Sequence, residues 1–154
     1  MLKTDIDYPD YLPYPTRSGY STKAEEPFIR TQLSSGRARQ MQRFSSVPSS
    51  YNVSFTFESN AHAMLFEGWF KHTLKSGSKW FNAKLKTPIG VGRYVCRFIE
   101  MYSGPNPMGL CAWEVSATLE LWEQPVLSSE WVDFPEFILD ANLLDIALNK
   151  DWPK

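Results

Sequence analysis

Residues 51–57 read YNVSFTF. Large apolar side chains sit at Tyr51, Val53, Phe55 and Phe57, with polar Asn52, Ser54 and Thr56 between them. Strict alternation over seven residues is the period of a half-buried β-strand, and β-branched and aromatic side chains suit one. The same pattern recurs downstream. In FNAKLK (81–86), Phe81, Ala83 and Leu85 alternate with Asn82, Lys84 and Lys86. In LCAWEVSATLELWE (110–123), Cys111, Trp113, Val115, Ala117, Leu119 and Leu121 share one face. RYVCRFIEMY (93–102) reads as a strand and SGPNPMG (103–109) as a loop. A hairpin closed near Asn106 then sets Cys96 opposite Ser116 and Cys111 opposite Met101. That leaves the two sulfurs roughly 16 Å apart at the strand rise, as reduced, buried small hydrophobes.

Between the first two of these strands lies AHAMLFEGWFKHTLKS (61–76). Ser59 is a natural N-cap, Lys71 and Lys75 suit the negative end of a helix dipole, and Gly77 terminates. A helix over 60–75 follows, with Ala61, Met64, Leu65, Trp69 and His72 or Leu74 on one stripe, and Leu65 and Trp69 facing the sheet. Upstream, GRARQMQRF (36–44) follows a Ser34–Ser35–Gly36 turn and is compatible with a strand over 37–44. Arg37, Arg39, Met41 and Arg43 then lie on one side and Ala38, Gln40, Gln42 and Phe44 on the other. The whole describes a mainly β (α+β) fold: an antiparallel β-sandwich or split barrel with one covering helix.

The flanks differ in character. Residues 1–27 form an extended arm rich in Pro and Tyr, lying on its own domain or on a neighbour. Tyr8, Tyr11, Tyr14 and Tyr20 would be bare on a free arm, so residues 1–16 are expected to order on assembly, with Tyr11 and Tyr14 as contact residues. Residues 28–124 hold the β-rich domain. Residues 125–154 form an acidic, partly helical C-terminal tail, in which FPEFILDANLLDIALN (134–149) has near-helical apolar spacing.

The formal net charge is −1, so the chain as a whole is not a polyanion binder. The charge is nonetheless divided. From Arg30 to Arg97 there are eleven Lys/Arg and two acids, a net of +9; from Phe98 to Asn149 there are nine acids and no Lys or Arg, a net of −9. Opposite halves favour attraction between copies. Aromatics make up 15% of the residues, more than one core of this size needs, and interfaces are enriched in them.

Catalytic patterns are lacking. His62 and His72 are ten apart, off the i, i+4 spacing of a helical metal pair, and no nucleophile elbow, phosphate loop or zincin motif occurs. Gly90 and Gly92 open a strand rather than a helix. Glu120 and Glu123 flank a strand end with no feature of an acid/base pair. No metal or cofactor is expected, and no enzymatic activity. No apolar run nears the ~20 residues of a membrane span, and the first residues lack a signal peptide's apolar core, which reads as a cytoplasm-like compartment of synthesis.

RTQLSSGRARQMQRF (30–44), YNVSFTF, MLFEGWFKHTLKSGSKWFNAKLKTPIG (64–90) and WEVSATLELWE (113–123) follow one another in an order that resembles the minor tail and distal tail proteins of long-tailed bacteriophages, in particular the lambda minor tail protein M family. Phe66, Trp69, Gly77, Trp80, Phe81, Pro88 and Ser116–Glu120 carry the likeness, over about residues 17–123. The resemblance implies a virion protein without enzymatic activity. It would form a ring, typically hexameric, joining the tail tube to the tail tip or baseplate hub. The arm and the acidic tail are longer than in that family. The alternatives are a tail-tube or tail-terminator subunit, or a small nucleic-acid-binding β-domain. Arg30, Arg37, Arg39 and Arg43 then serve subunit contacts, or line a channel through which DNA passes without sequence-specific recognition, or simply face solvent. Glu120 and Glu123 are the first candidate acidic partners.

Overall fold

The computed structural model describes residues 3–141. Among the described residues eight strands form: β1 (Ser21–Ala24), β2 (Phe28–Gln32), β3 (Ala38–Gln42), β4 (Ser49–Phe57), β5 (Phe81–Thr87), β6 (Gly90–Phe98), β7 (Ser103–Met108) and β8 (Ala112–Leu121). Between β4 and β5 run helix α1 (Asn60–Gly68) and a π-helical turn, Trp69–Thr73. One compact unit includes the arm and ends at Gln124; a second begins at Pro125.

Six strands make the main antiparallel sheet in the order β1-β4-β8-β6-β5, with β7 on β8. The apolar face of YNVSFTF holds, with Tyr51, Val53, Phe55 and Phe57 all buried; on the other face Ser54, expected outward, is buried too, where Thr16 of the arm lies over it. The apolar faces of β5, where Phe81, Ala83 and Leu85 are buried, and of β8 from Val115 to Leu121 hold as well. The sheet curls until the Tyr20 hydroxyl, just ahead of β1, donates to the Lys86 carbonyl on β5 at 2.7 Å. Its first and last strands therefore lie within one tyrosine of each other, as in a split barrel.

The arm bridges these edges instead of awaiting assembly. Asp7 pairs with Asn82 of β5, and the Tyr8 N–H donates to the Asn82 carbonyl at 2.8 Å. Further on, the Thr16 N–H reaches the Ser54 carbonyl of β4, also at 2.8 Å. Tyr8 and Leu12 are buried in the core, whereas Tyr11 and Tyr14 are exposed. Ordering on a neighbour is thus corrected to docking on the arm's own domain. The physical reason is that β5 has an unpaired edge whose backbone groups the arm satisfies.

The helix starts at the expected cap, with the His62 N–H donating to Ser59 Oγ at 3.3 Å. Its buried face is Ala63, Phe66, Trp69, Phe70 and Leu74; Ala61, Met64, Leu65 and His72 are outside. Leu65 facing the sheet is therefore corrected. The helix is apolar on both sides, so periodicity alone did not set its phase. The aromatic side with the greater area to bury wins. A Leu74 N–H bond to the Trp69 carbonyl, one residue wider than an α-turn, keeps Phe70 and Leu74 on that side. After it, Gly77 at φ +83° stands where a Cβ would lie 2.9 Å from the Phe70 ring.

The expected loop 103–109 is strand β7. Cys96 pairs with Leu121 rather than Ser116, and β7 meets β8 as Met108 opposite Ala112, with a register shift between Ser103 and Asn106. The irregularity lets β6 and β7 follow one side of β8 in sequence, which a single hairpin closed near Asn106 does not allow. The hairpin closes at Gly109–Leu110. Cys96 is buried and Cys111 is exposed; both are free thiols. Burial of Cys111 is thus also corrected, since it lies in the turn and not on a strand face.

In the second unit, Ser129–Val132 forms a short helix, α2, and residues 135–141 are helical. The rest of the helix expected within 134–149 lies outside the described residues.

Candidate functional site

The arginine-rich segment is half of a separate two-stranded sheet, β2–β3. Its register is Phe28↔Gln42, Ile29↔Met41, Arg30↔Gln40, Thr31↔Arg39 and Gln32↔Ala38. Directly opposed residues share a face. Ile29, Thr31, Arg39 and Met41 thus form one side, which by alternation also takes Arg37 and Arg43. Arg30 lies on the other with Phe28. The hairpin is anchored where the Arg43 and Phe44 N–H groups both donate to the Pro27 carbonyl. No side chain of either strand is buried, and Phe28, Ile29, Leu33, Met41 and Phe44 are large exposed apolar groups. An isolated two-stranded hairpin is marginal in water, so this one presents unmet packing capacity along with its charge. Among the described residues none of Arg30, Arg37, Arg39 and Arg43 forms an ion pair. The Arg43 guanidinium instead lies 5.3 Å from the Phe44 ring centroid.

The acids expected to answer these arginines are placed differently. Glu120 is held by Arg97 of the same chain, Nε to Oε2 at 2.7 Å, as cross-strand neighbours on β8 and β6. Arg97 also lies 4.5 Å from the Trp80 ring centroid, and Trp80 meets Trp122 edge-on at 5.2 Å. Glu123 borders a shallow pocket beside this cluster and has no ion pair among the described residues. The grouping of Arg97 and Trp80 with Glu120 was not legible in the sequence, because only the true β6–β8 register sets Arg97 against Glu120.

Of the two arm tyrosines expected as contacts, Tyr11 is bare and Tyr14 borders a cleft of about 450 Å³ between the arm and β5. Tyr20, Leu85 and Val91 complete its apolar wall. Arg17, Lys84 and Lys86 stand around it, with the Lys84 ammonium 5.3 Å from the Tyr14 ring centroid. Burial, with a smaller push from Tyr51, raises the Tyr20 phenol to about 12. Burial likewise raises Tyr8 well above the usual tyrosine range and Cys96 well above the usual thiol range.

Among the described residues no group of three or more His, Cys, Asp or Glu side chains is placed to hold a metal ion. No helix among them is long and apolar enough to cross a membrane. The chain matches no family model, no curated protein and no solved structure.

Proposed function

We propose that this protein is a structural virion protein of a long-tailed bacteriophage, forming a ring at the distal end of the tail tube that joins the tube to the tail tip or baseplate hub. The supporting observation is the β2–β3 hairpin, which presents four arginines and five large apolar side chains with no partner for the charges among the described residues. Arginine with exposed apolar groups suits a protein interface, where its guanidinium binds carboxylates in bidentate fashion. The other half of the chain supplies the acids. The tail location rests on the sequence resemblance, and a hexamer is the ring size that resemblance favours.

The test is charge reversal, Arg37→Glu with Arg39→Glu, followed by sedimentation velocity. The fold is expected to survive, because exposed charges contribute little to stability, and self-association is expected to disappear. Since Glu120 is held by Arg97, Glu123→Arg is the reversal to try for rescue. If the double variant assembles like the wild type, and the wild type binds DNA with steep salt dependence, the hairpin is a nucleic-acid grip and the ring reading fails.

A further inference from the structure

Two exposed features of the main sheet are unlike. At one end the β7–β8 hairpin turns at Gly109–Leu110. Leu110 is fully exposed, its relative exposure being 102%, and nearby Met108 is 46% exposed. Glu58, one residue past β4, and Glu114 of β8 belong to this end, and no Lys or Arg occurs in the hairpin. Where the sheet curls and the Thr16 N–H meets the Ser54 carbonyl lies the cleft between the arm and β5. Its wall is apolar and the cations around it are Arg17, Lys84 and Lys86.

The register shows that these features cannot meet within one copy. Leu121 of β8 pairs with Cys96 of β6, which pairs with Phe81 of β5. From that row β8 runs back to Ala112 in one direction, while β5 and β6 run on to their own turn in the other. The cleft is tied to the sheet where the Thr16 N–H bonds the Ser54 carbonyl and Ser54 pairs with Ser116, so the tip stands about six residues of strand away, roughly 20 Å.

We infer that the β7–β8 tip of one copy seats in the arm–β5 cleft of the next, so that copies associate head to tail. The inference rests on the self-assembly reading above and names a contact for it. Leu110 and Met108 supply an apolar knob, the cleft a hollow walled by Tyr14, Tyr20, Leu85 and Val91. Glu58 and Glu114 bring negative charge toward Arg17, Lys84 and Lys86, which orients the encounter. A contact between different patches on the two partners is heterologous. Repeated, it closes into a ring where the rotation per copy permits and extends into a filament where it does not.

Cys111, exposed beside Leu110, is a native attachment point, while Cys96 is buried. The experiment labels Cys111 of the full chain with benzophenone maleimide, mixes unlabelled-isotope and ¹⁵N copies, irradiates, and maps the cross-linked peptides. Heavy–light cross-links falling within residues 14–20 and 84–91 are expected. In parallel, Leu110→Lys is expected to leave the thermal midpoint unchanged and to weaken self-association at least tenfold. Assemblies whose cross-links fall elsewhere, or whose size is unaffected by Leu110→Lys, overturn the head-to-tail contact and leave the ring reading standing. A wild-type chain that stays monomeric at all concentrations overturns both.

Discussion

The Tyr8 ring lies stacked on Phe55, centroids 5.6 Å apart and planes 20° from parallel. It also meets Trp69 edge-on at 5.4 Å. An arm residue thereby joins the central strand and the helix in one aromatic cluster, and its hydroxyl is satisfied by the Pro13 carbonyl at 2.8 Å. Leu12, equally buried, holds the next turn of the arm down. Leu12→Ala is therefore expected to cost about 2–5 kcal/mol. Deleting residues 1–16 should unfold the first unit, not merely weaken assembly. Urea titration of the two variants checks this, and a deletion variant with an unchanged midpoint would place the arm outside the core.

Helix phase gives a paired test. Trp69 packs edge-on against Phe81 at 5.1 Å and is buried, whereas Leu65 is half-exposed. Trp69→Ala is expected to lose about 3–5 kcal/mol and Leu65→Ala about 0.5 kcal/mol or less, as for surface sites generally. Chemical denaturation of both variants side by side reads the difference, and equal losses would mean the helix is rotated.

The thiols should differ in kinetics. Cys111 is exposed, while burial of Cys96 both shields it and holds it as the unreactive thiol. Under native conditions a chromogenic disulfide reagent is expected to titrate one cysteine quickly. The second should appear only after denaturant is added. Fast reaction of both would contradict the β6–β8 register.

Alkali should destabilise the fold through its buried phenols. A tyrosine whose pKa is raised by folding binds its proton more tightly in the native state. Its contribution to stability is complete below the unfolded value of about 10 and is lost as pH rises through the folded one. For Tyr20 that window runs from about 10 to about 12, and Tyr8 acts in the same direction. The denaturation midpoint is expected to hold steady up to about pH 10 and then fall. Tyr20→Phe should reduce the slope, and a flat profile in the wild type would show that these phenols are not desolvated.

Strand identity and facing were legible in the sequence wherever one face is buried and the other wet. YNVSFTF, FNAKLK and the second half of β8 alternate because the sheet has an inside and an outside. The helix was legible as a helix from its cap and stop. Its phase was not, because Met64 and Leu65 compete with Phe66 and Phe70, and only contact with Phe57, Phe98 and Tyr102 decides between them. The charge division and the arginine cluster were plain in the chain. Their isolation on a separate hairpin was not, since nothing local says which strands join which sheet. The pairing of Glu120 with Arg97, and the separation of Leu110 from the arm cleft, depend on register, a relation between distant segments. Backbone hydrogen bonds and burial set that relation only once β6, β7 and β8 are brought together.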